Sequence, residues 1–268
     1  MEATAISTVL EERGGSTLLL TVRKRAPKPM NKAFAIFAAA FLACPMSMNA
    51  QDAADTEGVR FGIKLAPNLG FLQSETDGIE SNGSGFGYSF GLMAEFPIGS
   101  AGNYRFASGL FLNNITGKWK EEFKYHDDLT GPERTKELET DVKLQYIEVP
   151  LTIKMMTNEI GYMRYYGQIG FGNGFNIRAK ADRVVPDYYD NAPTIVESFV
   201  EEKDEDLQSD IMLYKASLIV GAGMEYNFSG NTSLLVGITY NNGFTNILDI
   251  EGAKAKAHYL ELTAGVFF

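Results

Sequence analysis

The ionisable residues most able to do chemistry are Glu95, Arg105, Glu148, Lys154, Arg164, Lys215, Glu225 and Glu261. Each stands in a run where alternate residues are apolar and the others small or polar, so one face of a sheet would gather them. Acids and bases on a common buried face must pair, and pairing is the role expected of them. His126 and His258 stand alone. A nucleophilic triad needs a base held between a nucleophile and an orienting acid, and neither histidine has a recognisable serine partner. The run Glu201-Glu202-Lys203-Asp204-Glu205-Asp206 offers hard oxygen ligands for Ca²⁺. It lacks the spaced Asp/Asn and glycine of a calcium loop and reads as a solvated charge run. No catalytic, cofactor-binding or metal-ligating set is therefore expected. The single cysteine, Cys44, excludes an intrachain disulfide framework.

The elements that carry these side chains are long strands. Tyr214 to Phe228, Thr232 to Phe244 and a final strand ending at Phe268 alternate strictly, the first two separated by a Ser229-Gly230-Asn231 turn. Upstream, Val59 to Phe71 places Val59, Phe61, Ile63 and Leu65 opposite Arg60, Lys64 and Ala66. A second strand sets Phe86, Tyr88, Phe90, Leu92 and Phe96 against Gly85, Ser89, Met93 and Glu95. A third begins at Tyr104 and extends toward or beyond Trp119. The fourth alternates Ile147, Val149, Leu151, Ile153 and Met155 with Glu148, Thr152 and Lys154. The fifth sets Met163, Tyr165, Ile169, Phe171 and Phe175 against Arg164, Gln168 and Arg178. Gln73–Gly85, Glu121–Glu139 and Ala181–Ser209 read as long connections, while Pro97–Asn103 and Thr157–Gly161 read as short ones. Pro150, lacking a ladder donor, predicts a bulge or bend in the fourth strand.

Eight strands joined by alternately long and short connections match an antiparallel, up-and-down transmembrane β-barrel, an all-β fold with short periplasmic turns and longer extracellular loops. Each strand exceeds the roughly 9–11 tilted residues that cross a bilayer. The Phe-, Leu-, Ile- and Tyr-rich face is expected to meet lipid, and Tyr88, Tyr104, Tyr165, Tyr226 and Tyr240 suit interfacial girdles. The glycine-rich, charged face would fill the narrow interior. A soluble eight-stranded barrel would instead turn its apolar face inward around a ligand.

Residues 30–50 read as a signal peptide: Met30-Asn31-Lys32, an apolar run from Ala33 to Ala43, and a junction near Ala50-Gln51. Residues 1–29 share no periodicity with the strands and read as an extension ahead of a true start at Met30, the alternative being a long basic leader. Cys44 after Phe41-Leu42-Ala43 matches a lipoprotein signal in part. Residues 51–58 form a polar linker before a barrel over 59–268. Residues 1–50 hold six basic and three acidic side chains, so their removal takes the net charge from -10 to about -13. That balance argues against nucleic acid as a partner.

Tyr146-Ile147-Glu148-Val149-Pro150-Leu151 is similar to the Tyr-x-Glu-x-Pro-Leu strand of the PorT-like outer-membrane β-barrel family of Bacteroidetes. Gly221 to Tyr226, and Tyr240-Asn241-Asn242-Gly243-Phe244-Thr245-Asn246-Ile247, resemble its C-terminal half. The resemblance implies residence in the Gram-negative outer membrane, contact with its lipid, and insertion by the barrel-assembly machinery with Phe268 as the C-terminal recognition residue. It implies no cofactor. The expected role is non-enzymatic: structural, envelope-maintaining, or binding envelope proteins through extracellular loops, with membership of a protein-secretion assembly as one form. The alternatives are a soluble apolar-ligand barrel, an envelope lipid-modifying enzyme and a narrow pore.

Overall fold

The computed structural model describes residues 58–268 apart from 75–78, 100–101, 128–130, 190–191, 230–231 and 251. The expected extension over 1–29, the signal peptide over 30–50 with Cys44, and nearly all of the linker lie outside the described residues. Nine strands follow in order: β1 Arg60–Ser74, β2 Ile79–Pro97, β3 Tyr104–Tyr125, β4 Arg134–Met156, β5 Met163–Tyr189, β6 Ala192–Asp206, β7 Tyr214–Ser229, β8 Thr232–Gly243 and β9 Ala255–Phe267. Neighbours run β4-β3-β2-β1-β9-β8-β7-β5, and a further β4–β5 ladder closes these eight into a ring. Closure removes every open edge from the hydrocarbon zone, where an unpaired backbone group would find no water.

β6 lies outside the ring and pairs with the far end of β5, from Lys180↔Asp206 to Tyr189↔Ala192. The segment expected as the longest connection is thus largely a hairpin. Val184, Tyr188, Val196 and Phe199 give it an apolar side, and these four pack with Phe123, Tyr125 and Leu138. The expected Glu121–Glu139 connection is also mostly strand, because β3 and β4 stay paired from Tyr104↔Met155 out to Tyr125↔Arg134. Long connections here take the form of strands continuing past the membrane.

Strand parity decides what faces lipid. Phe61, Leu65, Leu92, Leu110, Phe171 and Ile238 lie at least half exposed on the outer wall, and Phe90 and Leu151 face the same way. Glu148 and Glu225 are almost fully buried within. Tyr104, Tyr165 and Tyr226 ring the short-turn end, and Tyr88 and Tyr240 lie toward the other. The short turns include Gly161 at φ +68°, a left-handed conformation that glycine adopts without strain.

The predicted bulge is not at Pro150. Ladder pairs on both sides of it keep one register, Ser108↔Leu151 and Phe111↔Glu148 toward β3, Pro150↔Gly172 toward β5. The missing amide merely interrupts the β3–β4 ladder. The register shift falls instead at Gln145/Tyr146, opposite Arg178 and Asn176, so Ile177 is the extra residue on β5. This shift reverses the parity of β5 beyond Asn176: Ala179 and Ala181 are buried within and Arg178 is exposed on the outer wall, contrary to its expected inward position.

Candidate functional site

The interior has two layers. In the half nearer the short turns, the ring gathers four cations (Arg60, Lys64, Arg105, Lys154) and three carboxylates (Glu95, Glu225, Glu261), and Lys215 with Glu148 extends the ionic layer outward. Arg60 from β1 lies 2.5 Å from Glu95 of β2 and 3.0 Å from Glu225 of β7. Lys154 of β4 donates to Glu95 at 2.6 Å and also to Glu225. Four strands from different parts of the ring are thereby tied across the axis. Arg105 approaches Glu95 at 3.9 Å. Lys64 donates to Glu261 at 2.6 Å and lies 4.3 Å from the centre of the Phe111 ring.

Further out, Glu148 is the hub. Its carboxylate accepts from Tyr259 at 2.7 Å, Asn241 at 3.0 Å and Asn113 at 3.1 Å, while Asn68 donates to Asn113. Lys215 lies 3.7 Å from Glu148, its ammonium 5.0 Å from the ring centres of both Tyr146 and Tyr259. Two aromatic faces thus replace part of the hydration that a buried ammonium loses. A cavity of about 70 Å³ between these groups is lined by Lys64, Glu95, Glu148, Lys154, Asn241 and Glu261, among others. It has room for a few water molecules and many polar partners for them.

The outer half of the interior is apolar, which the expectation of glycines and opposed ions along the whole axis missed. Leu72, Ile115, Trp119, Val142 and Leu144 from the wall pack against Leu207 and Ile211 of the β6–β7 connection and Ile247, Leu248 and Ala253 of the β8–β9 connection. Asn246 pins the latter by donating to the carbonyls of Leu248 and Ala253 and accepting from the amide of Ala255. Apart from that small polar cavity, side chains of the described residues fill the interior.

Of the eight charges singled out in the sequence, seven converge in this interior. Arg164 does not: it sits at the inner rim, 3.4 Å from Glu159 of the β4–β5 turn. Arg60 and Lys64 had the correct parity and belong with the network, as do Asn113, Asn241, Tyr146, Tyr166 and Tyr259; the same two-residue period marks them all. Pro150 lines the cavity. The Phe268 side chain is exposed at the inner end, its amide donating to the Phe61 carbonyl at 2.9 Å. His126 lies exposed at the tip of β3, and its carbonyl accepts from the Val196 amide at 3.0 Å. His258 points to the outer wall of β9. The acidic run Glu201–Asp206 lies on β6, and no group of metal-ligating side chains occurs among the described residues.

A second feature is the arm beyond the ring. β3 and β4, then β5 and β6, continue outward, and a parallel bridge between His126 and Ile195 brings β6 to β3. Inside, Phe199 meets Tyr125 edge-on with centroids 5.1 Å apart and Phe123 at 6.4 Å, and Lys136 sits 3.7 Å above the Phe199 ring. The arm has its own small core.

A closed antiparallel ring of eight strands, apolar outside and ionic within, is an integral outer-membrane β-barrel. The family model "Outer membrane protein beta-barrel domain" matches residues 49–249, and the chain belongs to that family. Its location is the outer membrane. Among solved structures it is similar to Neisserial surface protein A, 18% identical over 79% of this chain and 98% of that one, with a TM-score of 0.41. It is also similar to the attachment invasion locus protein Ail of Yersinia pestis, 16% identical over 80% and 100% of the chains, TM-score 0.32. The outer membrane protease OmpT of Escherichia coli is 9% identical over 82% and 99%, TM-score 0.36. These likenesses are of fold alone. No curated protein matches the chain.

Proposed function

We propose that the protein is a non-conducting outer-membrane scaffold that displays its outer arm to envelope partners. The observation carrying this reading is the filled interior, with an ionic layer across the inner half and an apolar plug across the outer half. An ion crossing it would have to separate buried pairs and then traverse Leu72, Ile115 and Ile247, so the narrow-pore reading is disfavoured. The outward apolar belt likewise disfavours a soluble apolar-ligand barrel. The separation of His126 from His258 disfavours a lipid-modifying enzyme using either as base. The PorT-like resemblance around Tyr146–Leu151 supports the finer reading, in which the partners belong to a protein-secretion assembly.

The test is site-specific photocrosslinking in intact cells from outward positions on the arm, such as Glu137 and Val200. Recurrent crosslinks to envelope proteins, absent from equivalent probes on the inner turns, are expected. Ion conductance in planar bilayers, or no crosslink from the arm, would overturn the proposal.

A further inference from the structure

Just beyond the lipid-facing belt, the outer wall of β4 and β5 carries a step of basic side chains. Moving outward, the ladder pairs Gln145 with Arg178, then Lys143 with Lys180, then Asp141 with Asp182. Directly opposed residues share a face, so Lys143 and Lys180 repel one another, an arrangement that destabilises a bare sheet. Each leans on an acid lying farther from the membrane: Lys143 donates to Asp182, and Lys180 lies 3.2 Å from Asp204. The cations therefore hold the membrane-proximal row and the carboxylates stand behind them.

Arg178 is the second, independent observation. Its guanidinium has no ion-pair or hydrogen-bond partner among the described residues, and it is exposed. It reaches this wall only because Ile177 is inserted into β5; without the bulge Arg178 would point into the interior. Bulges re-aim side chains in this way. Toward the membrane on the same strand lie Ile177 and, farther along, Phe171, both exposed on the lipid-facing wall.

We infer that this step binds the phosphate group of an outer-leaflet amphiphile. Arg178 offers the planar fork that takes two phosphate oxygens at once, and its aliphatic stem can lie along the apolar wall while the charge stays at headgroup level. Lys180 and Lys143 flank the anion, which relieves their mutual repulsion. The acyl chains run beside Ile177 and Phe171. The inference needs only the membrane embedding, not the scaffold role.

The test is native mass spectrometry of the full chain in detergent, titrated with lipid A carrying both phosphates and with its dephosphorylated form. The wild type is expected to bind the phosphorylated lipid about tenfold or more tightly than the dephosphorylated one. R178Q/K180Q should remove that preference, R178K should lose part of it, and K124Q, near the outer end of β3, should leave it intact. Heat-modified gel migration checks that each variant is folded; if the double variant does not fold, the two lipids on wild-type protein still decide. Equal binding of the two lipids, or an unchanged R178Q/K180Q, overturns the inference. Displacement of the lipid by inorganic phosphate at similar concentration would reassign the step to a free anion and overturn the lipid assignment.

Discussion

Lys154 carries the largest single burden in the interior, because it serves both Glu95 and Glu225 in a region closed to bulk water. Lys154→Met would leave the two carboxylates sharing Arg60, with only the more distant Arg105 beside Glu95. Breaking a buried pair costs about 3–5 kcal/mol, so the midpoint of urea unfolding from lipid vesicles should fall sharply, whereas Lys203→Met should leave it unchanged. An unaltered Lys154→Met midpoint would mean that the network adds nothing. Close packing supplies a second test. A Cβ on Gly237 would stand 2.2 Å from the Tyr166 hydroxyl, and one on Gly223 2.7 Å from it. Gly237→Ala should cost about 1–3 kcal/mol through overpacking, and Tyr166→Phe in the same chain should recover part of the loss. Independent, additive effects would contradict the contact. The charges were legible in the sequence because strand parity alone puts them inside. Their partners were not, since Lys154 and Glu225 are brought together by ring closure rather than by neighbouring strands.

At the scale of elements, β6 is separable from the ring because it forms a ladder only with β5, and its bridge to β3 and the Phe199 contacts with Phe123, Tyr125 and Lys136 all lie in the arm. Replacing residues 185–200 by Asn-Gly, joining Val184 to Glu201 through a two-residue hairpin turn, should leave a barrel that still migrates as folded on unheated gels. Loss of the folded band would show that the ring depends on the arm. The arm's base also responds to pH. The hydrogen bond from Lys143, assisted by the Asp204 amide, holds the Asp182 carboxyl below its ordinary range, and the same bond raises Lys143. The Asp182 contribution is present above its unfolded pKa and disappears as pH falls through the lowered folded value. That of Lys143 is present below its unfolded pKa and disappears as pH rises through the raised one. Both groups are largely solvated, so the pair contributes less than about 1 kcal/mol. The protection factors of β4 and β5 amides near Asp141 and Asp182, which remove the intrinsic pH dependence of exchange, should therefore fall at the two pH extremes and stay high between them. A flat profile would show the pair to be idle. The sequence displayed the ring strands plainly but disguised the arm: in β4 the run Arg134–Asp141 is so charged that its strand character rests on pairing with β3 rather than on an apolar face. Ile177 was equally hidden, since a single inserted residue leaves local alternation intact on either side and shows only in the register with β4.

For the whole molecule, orientation follows from the asymmetry of the ends. The compact turns at 98–103 and 157–162 share one rim with Phe268, and the arm and the plugging connections share the other. In this class the short turns face the periplasm and the longer connections the exterior. The alternation of connection lengths made that much readable before any coordinates. The apolar outer plug was not readable, because Leu207, Ile211, Ile247 and Leu248 sit in irregular segments whose hydrophobicity has no period. Their burial depends on the ring providing a mouth of the right width.

The chain's single tryptophan, Trp119, lies inside, 4% exposed. Fluorescence quenching in vesicles therefore tests directly whether the apolar face meets lipid while the interior is sealed. Bilayers with brominated acyl chains should quench W119F/L151W strongly and leave wild-type Trp119 almost untouched, and iodide outside should reach neither. Strong acyl-chain quenching of Trp119, with L151W accessible to iodide instead, would contradict the arrangement.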